Sequence, residues 1–363
     1  MIYKSFSIVE IDIKLVVFYF RRHIKQRGYA MRKLLLSSTA LATAAALTAG
    51  AAVADVSISA ATDWQYNSRS SQIAASDGTF FSNDSEIAFK FTNKTDSGLD
   101  IGYTVEMFTD DGEGTIDESS ISISGGFGKI VLGNQDGAAD NYGLNALDLI
   151  AEESSIKFMQ AAGTTSSIST NSDIQIGSDA NKIAYHLPAM GGFTAGASIA
   201  DSGAAATANA GTDTTEYGFQ YTMDAGGNTI TIAAASATTE APTKDTDSQA
   251  LAVKVVAGNL SIIASQSTLE GVDEDRNNVG VGVSYNMGNG MVLGAYTNKS
   301  EDDLDIGEEL SLSGVEVQYT IAAGLTAAVT VEDYDYKVTA ANHENTPLGD
   351  KGTVSKLTIT AAF

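Results

Sequence analysis

From residue 55 onward, apolar and polar side chains alternate with a period of two, the period of a strand whose successive side chains point to opposite faces. In Ser85 to Thr92, Ile87, Phe89 and Phe91 share one face, and Glu86, Ala88, Lys90 and Thr92 share the other. Tyr217, Phe219 and Tyr221 alternate with Gly218, Gln220 and Thr222. Val279, Val281, Val283 and Tyr285 alternate with Gly280, Gly282, Ser284 and Asn286. Leu357, Ile359, Ala361 and Phe363 alternate with Lys356, Thr358, Thr360 and Ala362. In a water-soluble sandwich such an apolar face packs into a core, whereas in a membrane barrel it meets lipid; the period fits both.

The connections separate the two. Seven short Gly-rich connections fall at 96–98, 125–128, 189–192, 224–227, 257–259, 287–290 and 322–324. Eight longer polar ones fall near 70–83, 110–117, 135–180, 201–213, 239–247, 269–277, 300–309 and 337–352. Tight turns at one end and longer loops at the other mark a transmembrane barrel. Strict alternation of fifteen connections predicts an all-β, antiparallel, up-and-down barrel of sixteen strands. An even number closes without an exposed edge, as a bilayer requires. Most predicted segments have about 10 residues, enough for a tilted strand to cross. Trp64, Tyr66, Tyr103, Phe193, Tyr285, Tyr296, Tyr319 and Phe363 lie near segment ends, where interfacial aromatic girdles form.

The first part of the chain reads as targeting sequence. Met31 is followed by Arg32 and Lys33, an apolar run from Leu34 to Val53, and Ala52-Val53-Ala54 before Asp55. This order predicts a secretory signal peptide over 31–54, cut after Ala54, and a barrel over 55–363. Residues 1–30 read as a translation start placed too far upstream, with a true N-terminal extension as the alternative. Residues 1–54 hold eight of the 21 Lys and Arg and two of the 45 acids. Residues 55–363 therefore carry 13 bases and 43 acids, a net charge of −30. That balance excludes a nucleic-acid partner, which needs clustered bases. No cysteine occurs, so hydrogen bonding and packing must supply the stability.

One connection, 135–180, is far longer than the rest, and loops of that length are usually functional or disordered. It carries Asp136, Asp140, Asp148, Glu152, Glu153, Asp173 and Asp179 against one base, Lys157. Its apolar residues Leu144, Leu147, Leu149 and Ile150, with Ile156 and Phe158 after them, suit packing against a wall.

The stretches TDSGLDIGY (Thr95 to Tyr103) and SGGFGKIVLGNQDGA (Ser124 to Ala138) resemble the matching segment of trimeric general-diffusion porins of alphaproteobacterial type. The resemblance implies a homotrimer in the cell outer membrane, reached by Sec-type export, whose third loop folds inward and narrows a channel for small hydrophilic solutes and ions. It implies that loop acids, here Asp136, Asp140, Asp148, Glu152 and Glu153, face a basic wall across the channel. Strand parity puts Arg69, Lys90 and Lys356 on the lumen side of neighbouring strands. Only Arg69 and Arg276 are arginines in residues 55–363, fewer than the arginine ladder the family often builds, which weakens the expected transverse field. A terminal Phe363 matches the strand ending that outer-membrane assembly machinery reads.

Mainly acidic charge predicts cation preference. Outward acidic runs such as Glu301 to Asp305 are expected to bind structural calcium or magnesium and bridge lipopolysaccharide, without EF-hand spacing. No other cofactor is expected. Beyond residue 54 the histidines are His186 and His343, with no G-x-S-x-G elbow, zinc constellation or GxxxxGK[ST] loop, so the chain is not read as an enzyme. A substrate-specific porin and a surface adhesin or structural barrel of little conductance are the alternatives. The lumen-parity positions, mostly Gly, Ser, Thr, Asn and Gln, favour the general pore over a path with an aromatic slide.

Overall fold

Each alternating stretch becomes a strand. The computed structural model describes residues 55–72, 77–109, 115–150, 179–201, 213–241, 243–271, 275–302, 308–338 and 349–363. The signal-peptide and start-site expectations, on residues 1–54, lie outside them. The strands are β1 (Asp55–Ser71), β2 (Gly78–Lys94), β3 (Asp100–Phe108), β4 (Thr115–Gly125), β5 (Gly128–Gln135), β6 (Ala180–His186), β7 (Phe193–Ala200) and β8 (Thr214–Ala225). They continue as β9 (Asn228–Thr239), β10 (Thr246–Ala257), β11 (Leu260–Glu270), β12 (Asp275–Gly288), β13 (Met291–Asp302), β14 (Glu308–Ala322), β15 (Leu325–Val338) and β16 (Gly349–Ala362). Every strand pairs antiparallel with its neighbours in sequence, and β1 pairs with β16 from Ala61↔Ala362 to Ser71↔Gly352, closing the barrel. All seven short connections fall at the predicted turns. The β8–β9 turn needs φ of +69° and +89° at Gly226 and Gly227, a region that L side chains enter only with strain.

The two faces differ as the period demands. On β14 and β15, Val315, Val317, Tyr319, Val329 and Val331 are exposed, while Glu316, Thr330 and Glu332 between them are buried. Trp64 and Tyr66 on β1 are exposed, and Asn67 and Arg69 are buried. So large an exposed apolar surface on a closed sheet belongs in lipid or detergent, not in water.

Three details depart from the sequence reading. Strand lengths run from 7 residues in β6 to 17 in β1 and β2 instead of clustering, and several loops are correspondingly shorter than predicted. Charged residues near the loop ends resemble loop composition but extend the ladder by pairing laterally. On the apolar-face parity, Lys299 lies 3.3 Å and Lys337 2.7 Å from Glu309, and Lys299 also pairs with Glu301. Tyr296, expected in the aromatic girdle, has the opposite parity; it is buried and donates to Glu332. The polar face is also less uniformly small than expected, because Leu310, Leu312, Tyr334, Tyr336 and Val354 bury one another near the loop ends of β14–β16, with Phe80 against them.

A charge on the apolar face should cost about 2–4 kcal/mol at mid-membrane depth. Val317→Arg is therefore expected to lower the urea stability of the barrel in bilayers by that amount, read from the shifted gel mobility of folded protein; an unchanged midpoint would contradict the assignment of faces.

Candidate functional site

After β5 the chain turns at Gly137 into a short helix, α1 (Ala138–Tyr142), and then a 3-10 turn, Ala146–Leu149. The 3-10 turn carries its own start signal. The Asn145 side chain accepts from the Leu147 N–H at 2.7 Å, and Asp148 accepts from the Asn145 N–H at 2.9 Å, a capping box. Helix α1 has no side-chain cap of its own, so its first N–H groups need partners elsewhere. The barrel wall supplies them: Ala138 N–H donates to Ser198 Oγ at 2.8 Å, and Ala139 N–H to Glu216 Oε2 at 3.2 Å. Further along, Gln220 donates to the Tyr142 carbonyl at 3.1 Å, Tyr142 Oη lies 3.0 Å from His186 Nδ1, and Ala146 N–H donates to Ser265 Oγ at 3.0 Å.

All these wall residues share the polar face; Tyr217 and Phe219, on either side of Gly218, are exposed on the apolar one. The segment lies along β6–β9 through α1 and along β11–β13 through the 3-10 turn. Small residues let it approach. A methyl group at Gly218 would overlap the Ala138 carbonyl oxygen, and one at Gly282 the Ala146 carbonyl oxygen. Ala139 is buried against Ala235, Ala237 and Ala250. Beneath α1, Glu216 is also ion-paired with Lys182 at 2.7 Å, both side chains fully buried. Removing one partner of such a pair leaves an uncompensated buried charge, so each depends strongly on the other.

The predicted site residues fall into three groups. Asp136, Asp140 and Asp148 are exposed on the described part of the long connection; Glu152 and Glu153 lie outside the described residues. Asp148 is engaged in the capping box. Of the predicted bases, Arg69 has its charge matched by Asp350, with which it forms a buried ion pair. Its Nε also donates to Tyr334 Oη at 2.8 Å, and its guanidinium sits 4.9 Å from the centre of the Tyr334 ring. Lys356 is buried on the polar face opposite Asn67 and Thr330. Lys90 is exposed on that face opposite Ser57 and Thr104. Sequence reasoning missed Lys182, Ser198, Glu216 and Ser265. Their polar-face parity was readable, but not the loop atoms they bind.

Asp136 meets other acids. Its carboxyl oxygens, those of Glu118 at the loop end of β4 and those of Asp179 before β6 offer ligand atoms within 4.8 Å of one another. Although the residue as a whole is exposed, partial burial of its carboxyl, followed by repulsion from Asp140 and then contact with Asp179 and Glu118, pushes Asp136 up to about 8. A hard cation would relieve the same repulsion; one oxygen from each of the three carboxylates makes three of the six to eight that calcium takes, so with single-oxygen binding the cluster alone is not a complete shell. Of the run proposed for divalent binding, Glu301 is held by Lys299 and residues 303–305 lie outside the described ones.

Comparison with known proteins places the chain. The family described as Gram-negative porin matches residues 40–340. Among solved structures, an anion-selective porin from Comamonas acidovorans is 17% identical, with a TM-score of 0.59 over 86% of this chain and 100% of that one. A variant of Rh. blastica porin is 16% identical, with a TM-score of 0.62 over 85% and 100%. The trimer form of OmpT, an outer membrane protein of Vibrio cholerae, is 13% identical, with a TM-score of 0.59 over 86% and 100%. No curated protein sequence matches. The chain belongs to the Gram-negative porin family. Family and fold together define an outer-membrane diffusion barrel, a class of non-enzymatic channel.

Two outcomes test this geometry. Gly282→Val puts bulk where the Ala146 carbonyl sits, and overpacking of this kind costs about 1–3 kcal/mol. The variant should form the barrel with wild-type gel mobility but cleave faster at residues 137–150 under limited proteolysis; equal cleavage would contradict the close approach. The second concerns pH. Folded Asp136 keeps its proton up to about pH 8, whereas its ordinary value is 3.8. Its contribution to stability is therefore complete below 3.8 and falls as pH rises through about 8. Thermal midpoints should decline over that interval, and Asp136→Asn should flatten the decline; identical slopes would contradict it.

Proposed function

We propose that the polar face lines a water-filled channel for small hydrophilic solutes and ions, and that residues 136–150 fold inward and narrow it. The observation that carries this reading is the bonding of α1 and the 3-10 turn to polar-face side chains of β6, β7, β8 and β11. Sixteen strands leave an aqueous lumen that such a segment can constrict. The channel prefers cations: Asp140, Asp148, Glu152 and Glu153 supply the acidic side, joined by Asp136 only above about pH 8, while Arg69 is neutralised by Asp350. Of the predicted basic wall, Lys90 is the member exposed on the polar face.

The working form is a homotrimer. Strands β5, β6 and β7 have 8, 7 and 8 residues. At about 3.3 Å per residue and a tilt of about 40°, 8 residues reach about 20 Å, short of an apolar band about 25 Å tall. Their apolar face, with Leu132, Ile183, Tyr185 and Ile199 exposed, is better covered by another copy than by lipid. Phe363, exposed at the end of β16, serves the assembly machinery, and the outward Lys299 and Lys337 at the loop ends face the lipopolysaccharide leaflet.

Single-channel recording in planar bilayers tests the reading. Openings in groups of three, with a reversal potential of cation sign under a salt gradient, are expected. Asp148→Asn, Glu152→Gln and Glu153→Gln together should reduce that potential by roughly half, the share expected if fixed charge selects ions by sign. Silent bilayers from folded protein would favour the barrel of little conductance, and an unchanged potential would remove these acids from the site.

A further inference from the structure

The polar-face charges that remain after ion pairing are not spread evenly. Among the described residues, the bases near the loop ends are matched: Arg69 by Asp350, Lys182 by Glu216 and Arg276 by Asp302. Lys94 at the turn end of β2 is matched by Asp100. Lys90 and Lys129 take part in no ion pair among the described residues. Both lie toward the turn ends of their strands, Lys90 four residues before the end of β2 and Lys129 second in β5. They are close enough to repel each other, and Lys129 also acts on the His186 ring opposite it. Lys254, three residues before the end of β10, shares the polar face and the turn side on the far wall.

Acids with no ion pair among the described residues collect at the other end of the same strands. Glu106 lies near the loop end of β3, Glu118 near that of β4, Asp136 just past β5 and Asp179 just before β6. These four act on one another, and Glu86 acts on Glu106. At the turn rim, Asp100 is ion-paired, and Asp55 at the start of β1, Asp96 in the β2–β3 turn and Asp224 beside its turn are exposed, where water screens them.

We infer that the fixed charge of the pore is divided along its axis, acidic at the loop end and basic at the turn end through Lys90 and Lys129, so that the channel rectifies. This rests on the channel reading proposed above. From Lys129 to Asp136 is seven residues, about 23 Å along the strand and about 18 Å along the axis at a tilt of about 40°. The Debye length is about 10 Å in 0.1 M salt and about 3 Å in 1 M, so the two zones act on permeating ions in dilute salt and are screened in concentrated salt. With the loop side positive, cations enter through the acidic mouth and anions through the basic end, and both accumulate inside. With the loop side negative, both zones empty. Current is therefore larger when the loop side is positive.

The test is single-channel current at both polarities in potassium chloride at about pH 9, above the value of about 8 to which the Asp136 carboxyl is pushed, so that the acidic zone carries its charge. The chain has no cysteine, so Asn259→Cys in the β10–β11 turn, exposed to a membrane-impermeant thiol reagent added to one chamber, reports orientation. A current ratio of about 1.5–2 is expected in 0.1 M salt, falling to about 1 in 1 M. Lys90→Met with Lys129→Met should bring the ratio in 0.1 M to about 1 while the channel still conducts, Arg at both positions should restore it, and Lys299→Met on the outer face should leave it unchanged. Symmetric wild-type current in 0.1 M salt, or asymmetry that survives the double Met variant, would overturn the proposal and leave the channel standing. Absence of any current from folded protein would instead overturn the channel, and the proposal with it.

Discussion

The pairing of β1 with β16 is the contact on which the rest depends. A sheet with an apolar exterior tolerates no open edge in a bilayer, because an unpaired backbone group there finds no water. The ladder from Ala61↔Ala362 to Ser71↔Gly352 removes that edge. It also fixes the parity of every strand around the ring, since a slip of one residue would turn Trp64 inward and Arg69 outward. The Arg69–Asp350–Tyr334 network reinforces the seam from the other face, tying β1 to β15 and β16 through a charge, a phenol and a carboxylate that are all buried.

Closure leaves one face of the sheet polar, and small side chains determine what can lie against it. The 136–150 segment has little internal structure to hold its shape, a five-residue helix and one capped 3-10 turn. Its position comes from the wall: hydroxyl and carboxylate acceptors on β7, β8 and β11 take up its N–H groups, and Gly218 and Gly282 admit its carbonyls. This division of labour suits a channel, because a rigid sheet positions a segment whose own sequence is free to set charge.

Much of this architecture is legible in sequence because its signals are local. Glycine clusters mark the turns, and two-residue alternation marks the faces. What failed was equally physical. Charged ends such as Lys299, Glu301, Glu309 and Lys337 resemble loops, yet they extend strands because lateral ion pairs form where the strands leave the apolar band. Tyr296 resembles a girdle residue by composition, but its parity points it at Glu332. The site was half legible. The acids of the long connection stand out as a charge run, whereas the anchors Glu216, Ser198 and Ser265 look like any polar-face residue until register brings residues 60 to 119 positions apart into contact. Arg69 has polar-face parity in the sequence and is buried on that face, but its neutralisation by Asp350, 281 residues away, carries no local mark.

The central claim, a lumen open to water and narrowed by the bound segment, is tested most directly by the swelling of proteoliposomes in uncharged sugars of increasing size. Rapid swelling in the smallest sugars that falls steeply with size is the predicted result. Swelling no faster than that of protein-free vesicles, from barrels shown to be folded, would contradict it.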